Sequence, residues 1–370
     1  MRVVLVISSL GPGGAERVMS LLAGELVTRG HEVQLVTLAQ AVDDFFALDP
    51  RVHRLSLDLS GQSARIQEAV CANFRRIKAL RRAVKTAAPD VVLSFMTSTN
   101  VLVLLACIGL PVRIVVSERV DPASHKDKFV WTSLRWLVYQ RADAVVVQTE
   151  RIATWFRRRL SNRVAVTVIP NPVDPEEDSQ PCCVEVPRPF MLAAGRLVHQ
   201  KGFDILIRAF STVARECGQP RLAIAGEGPE EQALRNVVAE LGLDDRVHFL
   251  GQVRGLRTLM RKADAFILSS RYEGFPNVLL EALAGGLPVV ATDCPDGPRQ
   301  ILRGGEFGLL VPCENAVALA AALRCIATDA ALRNRLSGRA SLATEPYQLD
   351  RVVRGWEAVL AAKPDDGQSA

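Results

Sequence analysis

The sequence predicts an α/β protein with two doubly wound parallel sheets, one in each half of the chain. Three observations point there. Short apolar runs bounded by turn residues recur between helical stretches, and they do not alternate polar with apolar, as expected of strands buried on both faces. Pro170-Asn-Pro-Val-Asp174 breaks regular structure near the middle, and the polar, proline-containing residues 175–187 that follow read as a linker. A length of 370 residues with 49% hydrophobic content allows two domains, each with its own core. The expected boundaries are a first domain at 1–172, a linker at 173–187, a second domain at 188–346, and a last helix with tail at 347–370.

In the first half, Arg2–Ile7 is a strand, Gly11-Pro-Gly-Gly14 a glycine turn, and Ala15–Arg29 a helix with Gly30 just past its end. Glu32–Thr37 is the next strand. The turn lacks the third glycine of the dinucleotide fingerprint, and position 16 is Glu, so a nicotinamide cofactor is not expected. Its simplest role is a tight strand-to-helix connection in which glycine supplies positive φ. Residues 62–87 form a long helix with Ile66, Val70, Phe74, Ile77, Leu80 and Val84 on one face, expected to pack on the sheet. Arg75, Arg76, Lys78, Arg82 and Lys85 lie mainly away from that face, and a second basic cluster follows at Trp155-Phe-Arg-Arg-Arg159. Such charges serve either as a solvated surface or as an attraction to anionic lipid. Asp90–Ser94 and Arg113–Ser117 are strands, the second running into Glu118-Arg-Val-Asp-Pro122, with His125 nearby. Glu118 and Arg119 are either a surface ion pair or functional groups at a strand end. Val164–Ile169 closes the domain.

The second half opens with the strand Phe190–Ala194, then Gly195-Arg-Leu-Val-His-Gln-Lys-Gly202 and a helix to about Cys217. Arg196 and Lys201 flank a strand-to-helix turn, a phosphate-binding arrangement of two cations with helix-start N–H groups. Arg221–Gly226 is a strand ending in Glu227-Gly-Pro-Glu230, where Gly226 and Gly228 leave room for a planar base beside the backbone. Ala316–Thr328 is an alanine-rich helix, Gln348–Ala362 a last helix with Trp356, and Pro364–Ala370 a polar tail.

The most informative stretch is Tyr272-Glu-Gly-Phe-Pro-Asn-Val-Leu-Leu-Glu-Ala282, between the strands Ala265–Ser270 and Leu287–Ala291. Pro276 suits a first helical turn. Glu273 then lies on the loop at a strand's carboxyl end, where open α/β sheets bind ligands, and Glu281 lies inside the helix. Two carboxylates with helix-start N–H groups between them suit a ligand that carries both hydroxyls and phosphate. The plainer alternative is a solvated loop Glu and an ordinary helix Glu.

This stretch resembles the donor motif of the family-4 glycosyltransferases, a Glu, seven residues and a second Glu within an E-G-[FL]-[PG]-x-x-x-x-E-A frame. The likeness continues through Gly285–Thr292, Gly297–Ile301 and Gly308–Pro312, and takes in Gly11–Arg17, the S-E-R-x-D-P segment ending at Pro122, and N-P-V-D at 171–174. The resemblance implies a GT-B fold, two Rossmann-like domains facing across a cleft, with the last helix crossing back to the first domain. The first domain would bind acceptor and the second the nucleotide sugar. Transfer would proceed with retention and without a metal. Arg196 and Lys201 would hold the donor diphosphate, Glu281 the nucleotide ribose, and Glu273 would lie beside the sugar. The base would lie near Glu227. Gly13 and Gly14 would close the cleft floor, and Gly274, Phe275, Pro276 and Asn277 would complete the donor set. The S-E-R-x-D-P segment resembles the branch that extends polyprenyl-diphosphate-linked saccharides. There Glu118 is expected to orient or deprotonate the acceptor hydroxyl, and Arg119 to pair with Glu118 or with a phosphate.

Charge and cysteine content narrow the setting. Residues 1–172 hold 23 Lys and Arg against 14 Asp and Glu, a net of +9, and the remainder 22 against 26, a net of −4. A basic first half suits an anionic membrane surface, and no nucleic-acid-binding motif is present. The eight cysteines follow no metal-ligand spacing and read as reduced thiols of a cytoplasmic protein. No apolar run has the length of a membrane span and none reads as a signal peptide. There is no Asp-x-Asp pair in the motif loops; Asp58 stands alone, and Asp43-Asp44 and Asp244-Asp245 are adjacent pairs. The expected partners are therefore a nucleotide diphosphate sugar, UDP-linked by preference, and a lipid-linked saccharide at the cytoplasmic face of the inner membrane, with no metal and no cofactor. A GT-B nucleotide-sugar epimerase and a non-catalytic glycan-binding scaffold are the competing readings.

Overall fold

The structure, a computed structural model, describes all residues except 62–64, 123–128, 174–181, 183, 219, 296 and 363–370. His125, most of the expected linker and all of the expected tail lie outside the described residues. The chain divides into two compact units, Met1–Pro172 with Asp350–Ala370, and Val173–Leu349.

The first unit contains, in chain order, β1 (Arg2–Ile7), α1 (Gly14–Thr28), β2 (Glu32–Thr37), β3 (His53–Ser56), α2 (Ile66–Ala87), β4 (Val91–Phe95), α3 (Thr97–Ala106), β5 (Arg113–Ser117), α4 (Phe129–Val138), β6 (Ala144–Val147), α5 (Glu150–Arg157) and β7 (Ala165–Val168). Its seven strands are all parallel, in the order β3-β2-β1-β4-β5-β6-β7. The order reverses between β1 and β4, so the crevice between the loops that follow them is the ligand position of such a sheet.

The second unit contains β8 (Phe190–Ala194), α6 (Phe203–Glu216), β9 (Arg221–Ala225), α7 (Glu231–Glu240), β10 (Val247–Phe249), α8 (Leu256–Lys262), β11 (Ala265–Leu268), α9 (Asn277–Ala284), β12 (Val289–Thr292), α10 (Pro298–Ile301), β13 (Leu309–Val311), α11 (Ala316–Thr328) and α12 (Ala330–Ala340). Its six parallel strands run β10-β9-β8-β11-β12-β13, reversing between β8 and β11. Successive residues of one strand feed different cores. Met191 and Ala193 of β8 join one apolar cluster, and Phe190, Leu192 and Ala194 join the other. A sheet covered on both faces needs apolar side chains at every position, which is why these strands read as continuous runs.

The last helix, α13 (Leu349–Ala361), belongs from Asp350 onward to the first unit, so the expected return crossing is present. It is anchored by Trp356, fully buried against Phe95 with ring centroids 5.6 Å apart, and by Arg29, which bonds both Asp350 and Glu357. Burial of one such aromatic stabilises by roughly 3–5 kcal/mol relative to alanine.

The apolar stripe of α2 departs from expectation. Leu80 and Val84 are buried, but Val70 and Phe74 are 63% and 68% exposed, so only the C-terminal half of the helix packs on the fold. The side chain of Ile66 is outside the described residues.

Candidate functional site

In the second unit the loops after β8 and β11 flank the reversal point and are stitched together by main-chain and side-chain bonds. Arg271 N donates to the Gln200 carbonyl at 2.8 Å, Gln200 Nε2 to the Tyr272 carbonyl at 3.0 Å, and Ser269 Oγ to the Lys201 carbonyl at 2.8 Å. Arg271 also bonds both oxygens of Asp204, at 2.9 and 2.8 Å, and the His199 carbonyl. Its hydrogen bond to Asp204, opposed by burial, holds the guanidinium pKa above its ordinary value. This frame positions the charged centre. Lys201 Nζ donates to Glu273 Oε1 at 2.7 Å, and Ser270 Oγ donates to the same oxygen at 2.5 Å. Glu273 is buried and the Lys201 side chain nearly so, so the pair sits in a region of reduced dielectric.

Glycine is required where these loops meet. Gly202 has φ 62°, and a Cβ there would stand 2.2 Å from the Ser269 carbonyl oxygen. Gly226 has φ 135°, and a Cβ would stand 2.0 Å from the Gly195 carbonyl oxygen. The expectation that Gly226 and Gly228 leave room for a base is therefore corrected. Protein backbone fills that room, Gly195 beside Gly226 and Leu197 beside Gly228, and the glycines let the loops after β8 and β9 pack together.

The other expected donor residues fall on the same sheet edge in different ways. Arg196 is exposed, and its side chain makes no bond to another described residue. Glu227 is exposed, and its Oε1 accepts from Gln252 N at 3.4 Å. Gly274 is half-buried on the loop, and Glu281 is buried within α9. Pro276 is the residue before the helix rather than within its first turn, which begins at Asn277. Its ring abuts Gly297. Phe275 is corrected as a side-chain contact to substrate: its ring is buried in the core against Tyr347, with centroids 5.7 Å apart. Only its backbone is left for a ligand. Cys294 lies beside this centre, and burial, with the Glu273 charge after it, pushes its thiol pKa well up, so it is inert as a nucleophile.

In the first unit Glu118 is 0% exposed. Its Oε1 accepts from Tyr139 Oη at 2.5 Å and lies 3.3 Å from Arg135 Nε, and its Oε2 accepts from Thr97 Oγ1 at 2.9 Å. Arg135 bonds Thr97 at 2.9 Å, and Asn100 bonds Tyr139, the Ser117 carbonyl and Ser94. Burial first, then the Glu118 charge, raises the Tyr139 pKa well above its ordinary value, so the phenol remains a donor. Two expectations change. Glu118 pairs with Arg135 and not with Arg119, and its carboxylate is enclosed and occupied, which does not suit contact with an acceptor hydroxyl.

Arg119 is also buried, and among the described residues no carboxylate bonds it. It donates to Asn171 Oδ1 and, at 3.5 Å, to Ser117 Oγ, and it stacks 4.4 Å from the Phe95 ring centroid. Its Nε has no hydrogen-bond partner among the described residues. Burial, partly offset by the Glu16 charge, brings its pKa down to about 9. A cation held by neutral partners is electrostatically incomplete. The glycine turn is not a positive-φ site: Gly13 has φ −125°. A Cβ there would meet the Glu16 carboxylate, which folds back over it.

Arg135, Tyr139, Ser270 and Arg271 are not singled out by the sequence as site residues. Their only signal was position, since each lies near a strand's carboxyl end or on a helix packed over one.

Two parallel doubly wound sheets, with charged loops at their reversal points and a final helix returned to the first unit, define the GT-B class of sugar-nucleotide enzyme. The family model described as Glycosyltransferase Family 4 matches residues 12–177, and the model described as Glycosyl transferases group 1 matches residues 176–342. The chain belongs to the family-4 glycosyltransferases and is a hexosyltransferase. A similar relative is "GalNAc-alpha-(1->4)-GalNAc-alpha-(1->3)-diNAcBac-PP-undecaprenol alpha-1,4-N-acetyl-D-galactosaminyltransferase" from Campylobacter jejuni, 28% identical over 98% of both chains. Among solved structures, sucrose-phosphate synthase from Thermosynechococcus elongatus aligns with a TM-score of 0.82 at 19% identity, over 97% of this chain and 98% of that one. Anabaena HepE in complex with UDP and glucose aligns with a TM-score of 0.76 at 19% identity, over 98% of this chain and 99% of that one. At these identities the two structures bear on the fold alone.

Proposed function

We propose that this hexosyltransferase moves a hexosyl or N-acetylhexosaminyl group from a UDP-sugar to a lipid-linked saccharide during cell-surface glycan assembly, with retention of configuration. The observation that carries the reading is the Lys201–Glu273 pair at the reversal point of the second sheet. As the glycosidic bond breaks, negative charge gathers on the departing diphosphate. A fixed ammonium in a low-dielectric setting stabilises that charge more in the transition state than in the ground state. Lys201, the unpaired Arg196 and the N-terminus of α9 supply this stabilisation, and Glu273 and Ser270 hold Lys201 in place. Glu281 takes the nucleotide ribose, and Glu227 lies near the base.

The acceptor belongs to the first unit in this reading. Arg119, buried and with no carboxylate bonded to it among the described residues, takes the diphosphate of the carrier. Glu118 is a positioning residue that ties α3 and α4 to the sheet through Thr97, Arg135 and Tyr139. The Campylobacter relative's name specifies an undecaprenol-diphosphate saccharide, which supports this acceptor class. No helix among the described residues is long and apolar enough to cross a membrane, and the basic first half favours peripheral attachment to the cytoplasmic face of an anionic membrane.

The test is a panel of UDP- and GDP-sugars incubated with the full chain, with and without a polyprenyl-diphosphate saccharide, and read by mass spectrometry. Sugar should appear on the lipid, and UDP should be released only when acceptor is present. Release of an altered free nucleotide sugar without acceptor would point instead to an epimerase. An absence of both turnover and nucleotide binding would point to a scaffold.

A further inference from the structure

Helices α4 and α5 carry an outer surface that neither the fold nor the donor site explains. Their inner faces join the first unit's core through Val138, Ile152 and Phe156. A helix packed this way should be polar outside. On α4 the opposite holds, with Val130 62% and Leu137 71% exposed on one stripe. Beside it Trp136 of α4 and Trp155 of α5 are half-buried with ring centroids 5.1 Å apart, and the Arg159 guanidinium lies 4.3 Å above Trp155. Arg157 is neutralised by Glu150 at 2.8 Å, but Arg158 is exposed with no partner among the described residues. A cavity of about 400 Å³ opens there, lined by Trp155, Arg158, Arg159, Arg151, Thr154 and Asp121.

Exposed apolar side chains, paired indoles with cations on their rim, and a basic pocket alongside form the combination that an interfacial membrane surface requires. Apolar groups enter the acyl boundary, indoles sit at headgroup level, and guanidinium groups meet lipid phosphate. A soluble protein partner would have to present acids to Arg158 and Arg159 as well as cover the apolar stripe, whereas an anionic headgroup layer over an acyl boundary offers both at once. We propose that the outer face of α4 and α5 is the surface by which this chain lies on an anionic phospholipid bilayer, with Leu137 and Val130 inserted and Arg158 and Arg159 on headgroup phosphates. The proposal rests on the reading that the acceptor is lipid-linked. It also chooses between two candidate surfaces, because the exposed Val70 and Phe74 of basic α2 offer another.

The test is sedimentation of the full chain with sucrose-loaded vesicles of phosphatidylcholine, with and without phosphatidylglycerol, in the absence of donor and acceptor. Wild type should sediment with the anionic vesicles only. Leu137→Glu and Arg158→Glu, both at exposed positions, should each lower the partition coefficient about tenfold, and Phe74→Glu should leave it within about twofold. The same variants should retain sugar transfer to a detergent-dispersed acceptor, which separates loss of docking from loss of catalysis. If sugar transfer itself fails while vesicle binding shows this pattern, the functional reading falls and the docking surface stands. The proposal is overturned if wild type ignores anionic vesicles, if Leu137→Glu and Arg158→Glu bind like wild type, or if Phe74→Glu alone abolishes binding. It is equally overturned if Leu137→Glu changes only the molar mass in light scattering, which would assign the face to a second copy of the chain.

Discussion

Lys201 and Glu273 join the two loops that flank the reversal point of the second sheet, with Nζ donating to Oε1 at 2.7 Å. Seventy-two residues separate them in sequence, so the pair exists only because β8 and β11 are neighbours in the sheet. The pair fixes a positive charge at the place where doubly wound sheets take phosphate. Glu273 also accepts from Ser270, which leaves Lys201 little freedom to swing away.

Lys201→Ala removes that charge and leaves Glu273 buried with Ser270 alone. A lost transition-state donor of this kind costs about 10²–10³ in kcat. The expected outcome is such a fall in steady-state turnover with circular dichroism unchanged, while EDTA leaves the wild-type rate as it was. A wild-type rate abolished by EDTA and restored by Mg²⁺ would overturn the fixed-cation scheme.

Glu118→Gln tests whether the buried carboxylate acts on substrate or holds the fold. Its oxygens serve Tyr139, Thr97 and Arg135. Neutralising it strands the Arg135 guanidinium, and breaking a buried pair in this way destabilises by about 3–5 kcal/mol. Urea unfolding followed by tryptophan fluorescence should show the first unit unfolding at clearly lower denaturant. The double variant Glu118→Gln, Arg135→Met should recover much of the loss. A variant with wild-type stability and abolished turnover would restore Glu118 as a catalytic base.

The strands of both sheets were legible because burial on two faces forces continuous apolar runs, as in Phe190–Ala194 with its side chains split between two cores. The donor-side charges Lys201 and Glu273 were legible because glycines punctuate their loops. The polar network around Glu118 was not. Arg135 and Tyr139 lie on or just after a helix that otherwise reads as apolar, and their partners stand 17 to 39 residues away along the chain. Sequence spacing carries no signal for such pairs. Phe275 was misread for a related reason: a motif position identifies a backbone segment, whereas the direction of its ring is set by Tyr347, arriving from far along the chain.

Gly226→Ala should be more damaging than its half-buried loop position suggests. The residue sits at φ 135°, and the new methyl would fall 2.0 Å from the Gly195 carbonyl oxygen. Backbone on both sides cannot give way without separating the loops after β8 and β9. Strain of this kind costs on the order of 1–3 kcal/mol, with more added by the steric overlap. The second unit should lose thermal stability, and UDP affinity measured by calorimetry should fall with it. Unchanged affinity would mean that the Gly195 loop is not part of the nucleotide site.

Arg119→Met separates stability from function. Burial lowers the Arg119 pKa from its ordinary value to about 9, so the folded chain holds the proton less tightly than the unfolded chain. For a depressed base the folding penalty is fully present below about pH 9 and is relieved as pH climbs toward the ordinary arginine value. At neutral pH the guanidinium therefore works against folding unless an anion joins it, and among the described residues nothing bonds Nε. Methionine keeps the contact with Phe95 and removes the charge, and exchanges of buried charge for an apolar group of similar volume are often neutral or stabilising. Without ligand, the variant should melt at or above the wild-type temperature. A short-chain prenyl diphosphate should raise the wild-type melting temperature but not that of the variant. The acceptor KM should rise about tenfold or more, roughly 1.4 kcal/mol of lost binding. An acceptor KM equal to that of wild type would remove Arg119 from the acceptor site and leave its buried charge without a purpose in catalysis.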